Sequence, residues 1–149
     1  MFSQLNLPQA QLQISKRENQ FFVTCLVRKK KILLTPEEWV RQHLIHYLVH
    51  FKGFALGRLA VEVNLIFNGL AKRADLVYYD EMLSPSFLFE CKAADVHLTT
   101  ETVFQIATYN SQLNAPFLVI SNGMDHYIFE KKNSELVPLN DLPFASLGS

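Results

Sequence analysis

Cysteine is scarce in this sequence. Cys25 and Cys91 are too few for a disulfide framework, and each lies in an apolar, strand-like run where a small buried thiol is the usual role. A reducing, cytoplasmic setting is the expectation. Long hydrophobic runs are missing as well: no segment approaches the roughly 18 apolar residues of a spanning helix. The opening MFSQLNLPQAQLQ has neither the charged start nor the apolar stretch of a signal peptide. No membrane partner and no export are therefore expected. Charge of one sign is not in excess, since 14 Lys and Arg stand against 14 Asp and Glu, so the global field does not argue for nucleic acid. No internal repeat or low-complexity tract is visible.

What is present is enough apolar material for one core, 49% of 149 residues. The reading is a single domain over residues 1–149, with 1–20 as a polar N-terminal arm or edge strand and 132–149 as a C-terminal tail. Charge is unevenly spread: residues 1–75 hold eleven basic and five acidic side chains, residues 76–149 three and nine. From Gln20 to Leu34, FFVTCLV and ILL flank Arg28, Lys29, Lys30 and Lys31, which predicts a β-hairpin with a basic tip; the plain alternative is a solvated turn.

Thr35-Pro36-Glu37-Glu38 reads as a helix start, with Thr35 as cap, proline at the first helical position and Glu38 able to return a bond to the cap. Val40, Leu44, Tyr47, Leu48 and Phe51 form the buried stripe of that helix, which stops near Lys52-Gly53. His43, His46 and His50 run beside it; they lack a Cys or carboxylate at ligand spacing, so a half-exposed flank is expected rather than a metal site. LAVEVNLIF, Asn68-Gly69, RADLVYYD and SFLFECKA then predict three antiparallel strands. A second helix is expected from Thr99 to Leu113 with Val103, Phe104, Ile106 and Ala107 inward, then APFLVIS as a strand covered on both faces, and a last strand near His126 to Phe129. The fold class is α/β, a mixed sheet flanked by helices with an added N-terminal hairpin.

Register points to chemistry. If Asp80 to Pro85 is the loop, Tyr79 faces Ser86 and Asp75 falls opposite Glu90. If Asn68-Gly69 is a two-residue turn, Phe67 faces Leu70 and Glu62 falls opposite Asp75. Such a row of carboxylates is unfavourable without a positive charge between them, and a divalent cation is the simplest one. Lys92, two residues from Glu90, shares its strand face, while Cys91 points away to be buried. Carboxylates, a carbonyl and waters are the usual cage for Mg²⁺ at a phosphoryl site. The expected first ligands are Asp75 and Glu90 with the Cys91 carbonyl as third, and Glu62 as a secondary candidate. Lys92 would orient the attacking water or stabilise developing charge, which together make a toolkit for phosphodiester hydrolysis. Gln105 and Tyr109, four apart, share a helix face and could hold a water or a phosphate; the alternative is an ordinary solvated face.

The stretches LTPEEWVRQ, RADLVYYD, FLFECKA, the helix with QIATY, and FLVISNG span roughly Leu34 to Gly123. In this order they resemble the PD-(D/E)XK nuclease superfamily, and more narrowly the N-terminal nuclease domain of type I restriction enzyme R subunits. The resemblance implies a restriction-endonuclease-like core and a DNA endonuclease using Mg²⁺ or Mn²⁺. It implies Asp75, Glu90 and Lys92 as the catalytic acid, acid and lysine, and Gln105 and Tyr109 as the Q-x-x-x-Y element beside them. It also gives Glu38 a supporting metal role, which competes with capping. Type I R subunits carry a helicase motor, which 149 residues do not hold. The expected partners are accordingly DNA, a second copy of the chain, and a motor or specificity subunit supplied separately. The rival reading is a catalytically silent module that keeps the fold for DNA binding or assembly; zero net charge and few aromatics in basic context favour it.

Overall fold

The computed structural model describes residues 2–145; Met1 and residues 146–149, the ends of the expected arm and tail, lie outside the described residues. Among the described residues, two sheets, two α-helices and a short 3-10 turn (Leu56–Arg58) make up the domain. The smaller sheet has the order β1 (Ile14–Arg17), β2 (Gln20–Thr24), β3 (Lys31–Leu33), all antiparallel. The predicted hairpin with a basic tip is β2–β3, and β1 is the edge strand of the arm. The β1–β2 turn uses Glu18 and Asn19, both in the left-handed region, as a tight hairpin turn demands.

The larger sheet has six strands in the order β4 (Leu59–Phe67), β5 (Leu70–Tyr79), β6 (Pro85–Cys91), β7 (Phe117–Ser121), β8 (His126–Lys132), β9 (Glu135–Leu139). All neighbours are antiparallel except β6 and β7, which run parallel and are joined through helix α2 (Thr100–Leu113). This is the mixed α/β architecture that the sequence predicts. Two boundaries differ. Pro85 is the first residue of β6 rather than the end of the loop, and it pairs with Tyr79 in place of Ser86 through an irregularity between Tyr78 and Tyr79. A proline fits there because the first residue of a strand can do without a ladder donor. The segment 135–139 forms β9 where only a weakly patterned tail is expected; Pro138 breaks its alternation, as an edge strand permits.

Helix α1 (Pro36–Phe51) covers one face of the large sheet and α2 the other. Thr35 caps α1 through a bond from the Glu38 amide to Oγ1 (3.1 Å), and Thr99 caps α2 in the same way. Val40, Leu44, Ile45 and Leu48 bury against Phe54, Leu76, Tyr78, Phe87, Phe89 and Val119; Ile106 buries against Val77, Leu88, Leu118 and Ile120 on the opposite side. Phe51 and Phe104, expected to face inward, are exposed at the rims, and His43 is fully buried with its Nδ1 2.9 Å from the Trp39 carbonyl. The arm is part of the domain: Leu5 enters the α1 core, and the Asn6 amide donates to the Gly123 carbonyl at 2.8 Å. Among the described residues no helix is long and apolar enough to cross a membrane.

Residues two apart in a regular strand share a face. On β4, however, Val61 packs with the α1 core and Val63 with the α2 core; on β5, Leu76 and Ala74 divide in the same way. The faces therefore exchange at the rung of Glu62 and Asp75. Glu62 sits there at φ 54°, and the ladder passes from Val61–Leu76 to Val63–Ala74 without that rung. The bend lets the outer half of the β4–β5 hairpin wrap over α2, where Phe67 meets Tyr109 edge-on at 6.4 Å.

The path from β6 to β7 is closed by Asn110. Its buried amide donates to the Ala115 carbonyl and accepts from the Ala115 amide, both at 2.9 Å. Asn110→Ala orphans both backbone groups and should lower unfolding free energy by about 2–4 kcal/mol, read as a lower urea midpoint with an unchanged m-value. An unaltered midpoint would show that the loop does not depend on this clasp.

Candidate active site

Beyond Leu76–Phe89, strands β5 and β6 no longer pair, while β6 continues beside β7 through Glu90 and Cys91. The Cys91 amide would be left without a partner in that fork, and the Asp75 carboxylate takes it, Oδ2 accepting at 2.7 Å. This brings the Asp75 and Glu90 carboxyls close enough for each to bear on the other's protonation. Lys92, just past the strand, holds Nζ 3.5 Å from Glu90 Oε1, and its amide donates to the Ser121 carbonyl at 2.9 Å. Asp75, Glu90 and Lys92 thus meet at one place, as strand periodicity predicts. The Cys91 side chain is fully buried in the α1 core, so only its backbone can serve the site.

Burial first, and then the adjacent Asp75 carboxylate, push Glu90 up to about 8. Asp75 is raised as well, by burial, against the opposing pull of the Cys91 amide and Arg41. Two half-buried carboxyls share one ammonium and a guanidinium, Arg41, that Glu38 and Glu62 also engage, so positive charge is short and is met either by a shared proton or by a cation.

The other predicted carboxylates are gathered by Arg41, which no sequence motif singles out. Arg41, on α1, is nearly buried and donates to both Glu38 oxygens, through Nε at 2.9 Å and through Nη2. The same Nη2 reaches Glu62 Oε1 at 3.1 Å, and Nη1 lies 3.8 Å from Asp75 Oδ1. Gln42 adds a third bond to Glu38 at 2.8 Å. Glu38 therefore spends its side chain on Arg41 and Gln42, not on the Thr35 amide as a reciprocal cap would. Glu62 also accepts from Arg73 at 2.9 Å and pairs with Arg28 at 3.5 Å. The positive charge expected between Glu62 and Asp75 is thus supplied by guanidinium. Glu37 lines the same pocket as Glu38, Arg41 and Glu62, and burial, then Asp75, raises its pKa.

Gln105 and Tyr109 are on α2 as expected, but among the described residues neither bonds to Asp75, Glu90 or Lys92. Gln105 is exposed, and the Tyr109 ring lies against Phe67 with the Lys72 ammonium 5.7 Å from its centroid.

The donor set suits a hard divalent cation. Among the described residues no three His, Cys, Asp or Glu side chains converge on one point, so an ion would hold Asp75, Glu90, a backbone carbonyl such as that of Cys91, and water. That is the composition Mg²⁺ ordinarily takes.

A bent mixed sheet between two helices, with an acid pair and a lysine where two central strands fork, defines the class of this domain. Residues 36–143 match the family described as Type I restriction enzyme R protein N terminus (HSDR_N). The chain belongs to that family. Among solved structures it is similar to one described as a fragment of an HsdR subunit of a type I restriction enzyme from Vibrio vulnificus YJ016. The TM-score is 0.56 at 18% identity, over 74% of this chain and 24% of that one. At that identity the likeness concerns the fold, and the chain spans about a quarter of that protein's length. Comparison with curated proteins finds no match.

The charge deficit fixes a pH dependence. Folded Glu90 keeps its proton to about pH 8 against an ordinary value of 4.5. Between those values the folded state binds more protons than the unfolded one, so stability falls as pH rises, by roughly 3–5 kcal/mol over the window. In EDTA the thermal midpoint should drop steadily across this range, and Glu90→Gln should flatten the slope. An equal slope in both proteins would contradict the assignment.

Proposed function

We propose that this domain is a metal-dependent endonuclease of the PD-(D/E)XK type that hydrolyses DNA phosphodiester bonds in a restriction-like role, using Mg²⁺ or, in its place, Mn²⁺. The observation that carries the proposal is the shared contact of Asp75 and Glu90 with Lys92 beside them. Asp75 and Glu90 would hold the ion with the Cys91 carbonyl. When bound, the cation supplies Lewis acidity and a water of lowered pKa. Lys92 keeps its ammonium at the carboxylates, where it can orient the nucleophile and offset charge developing on the phosphate. Arg41 sets the orientation of Asp75 while holding Glu38 and Glu62 as its counter-charges, so these two act through the guanidinium rather than as ligands. Gln105, exposed on α2, is free to meet substrate; Tyr109 supports that helix against the β4–β5 hairpin.

Membership in a family named for the R protein of type I restriction enzymes supports a setting with DNA and further subunits. A motor or specificity subunit and a second copy of this chain are the partners proposed.

One observation favours a second reading, a catalytically silent DNA-binding or assembly module: Arg41 already neutralises part of the acid cluster without any ion. Two measurements separate the readings. With Mn²⁺ the protein should nick or linearise plasmid DNA, and Lys92→Ala should abolish cleavage; activity surviving that substitution defeats the nuclease assignment. In calorimetric titration, Mn²⁺ binding should vanish on Asp75→Ala, whereas no binding by the unaltered protein favours the silent module.

A further inference from the structure

The β2–β3 connection is a built turn rather than a loose loop. The Cys25 amide donates to the Lys30 carbonyl at 2.9 Å, and the Lys29 amide returns a bond to the Cys25 carbonyl at 2.8 Å. The Arg28 amide points to Cys25 Sγ at 3.4 Å, and Lys29 takes the left-handed conformation (φ 60°) that closes the turn. The turn is fixed to α1 as well. Gln42 Oε1 accepts the Leu26 amide at 2.9 Å while its Nε2 donates to Glu38, so one side chain ties the turn to the helix that carries Arg41. The lysines consequently stand at a set position relative to the acid pair.

Between this turn and the N-terminus of α1 lies an open cleft of about 670 Å³. Arg28 and Lys30 stand on its wall with Glu37, Arg41 and Glu62, and Ala93, the residue after Lys92, lines it too. The cleft therefore runs from the basic turn to the neighbourhood of Lys92. Glu38 and Glu62 contribute little free charge to it, because arginines hold both. By contrast Lys29, Lys30 and Lys31 are exposed, and among the described residues none has a carboxylate partner; Arg28 Nε is buried without a hydrogen-bond acceptor. Three unpaired lysines on a fixed backbone turn, with Lys30 and Arg28 on the wall of the cleft, complement a polyanion with closely spaced charges. Duplex DNA has one negative charge per about 1.7 Å of axis.

We propose that the Arg28–Lys31 turn and the cleft below it bind the sugar–phosphate backbone of duplex DNA without reading sequence, and so lay the strand toward the acid pair. The inference rests on the reading of that site as one that acts on DNA. It goes further in giving the N-terminal hairpin the task of holding substrate.

The test is the salt dependence of binding, measured by fluorescence anisotropy of a labelled DNA duplex in EDTA so that nothing is cut. Replacing Lys29, Lys30 and Lys31 together by Gln should weaken binding roughly a hundredfold at moderate salt and reduce the slope of log K against log salt by about 2–3. Changing Lys131 and Lys132 of β8 to Gln, which removes positive charge outside the cleft, should leave the slope as it was. An unchanged slope in the triple variant, or equal losses in both variants, overturns the proposal. If the unaltered protein cuts DNA in Mn²⁺ while the triple variant binds as well as its parent, the turn has been misassigned and the nuclease reading stands. If the turn governs binding but no cutting occurs with any metal, the reverse holds.

Discussion

Two carboxyls that would repel each other in water are kept in contact at the fork of β5 and β6, and the rest of the site depends on that enforced meeting. The constraint is geometric: the ladder between the strands stops at Leu76–Phe89, and Asp75 spends one oxygen on the amide that the missing rung leaves free. Burial against α1 on one face and α2 on the other prevents the strands from separating to relieve the repulsion. The remaining ways to settle the charge are a proton on Glu90, the Lys92 ammonium, or a cation, and each has consequences for chemistry at phosphate.

Arg41 is the second organising element. Near the middle of α1 it reaches Glu38 on its own helix, Glu62 on β4 and Asp75 on β5, so one guanidinium couples the helix to both strands of the bent hairpin. Breaking a buried charge cluster by removing one partner costs far more than any surface pair contributes. The bend at Glu62, with its left-handed backbone, is the strained feature that turns this carboxylate toward the arginines instead of into the sheet.

Much of this was legible in the sequence. Asn68-Gly69 set the β4–β5 register, the 35–38 segment set the start of α1, and alternation around Cys91 put Glu90 and Lys92 on one side. Arg41 was not legible, because its helical spacing from Glu38 reads as an ordinary surface ion pair until tertiary packing buries it. The face exchange on β4 also escaped, since alternation looks unbroken through Val61, Glu62 and Val63. Periodicity places Phe51 and Phe104 inward, but Phe51 falls in the last turn of α1 and Phe104 lies beside the stripe of Val103, Ile106, Ala107 and Asn110, so both are exposed. Strand β9 has too little pattern of its own and forms because β8 offers an edge to pair with.

A divalent ion at this fork would be held by Asp75 and Glu90 and not by the carboxylates around Arg41. A crystal soaked in Mn²⁺ and measured for anomalous scattering tests it directly. One peak is expected within about 2 Å of an oxygen of both Asp75 and Glu90, with Arg41 still bonded to Glu38 and Glu62. A peak held instead by Glu38 or Glu62 with the guanidinium displaced, or no peak between the two central strands, would contradict it.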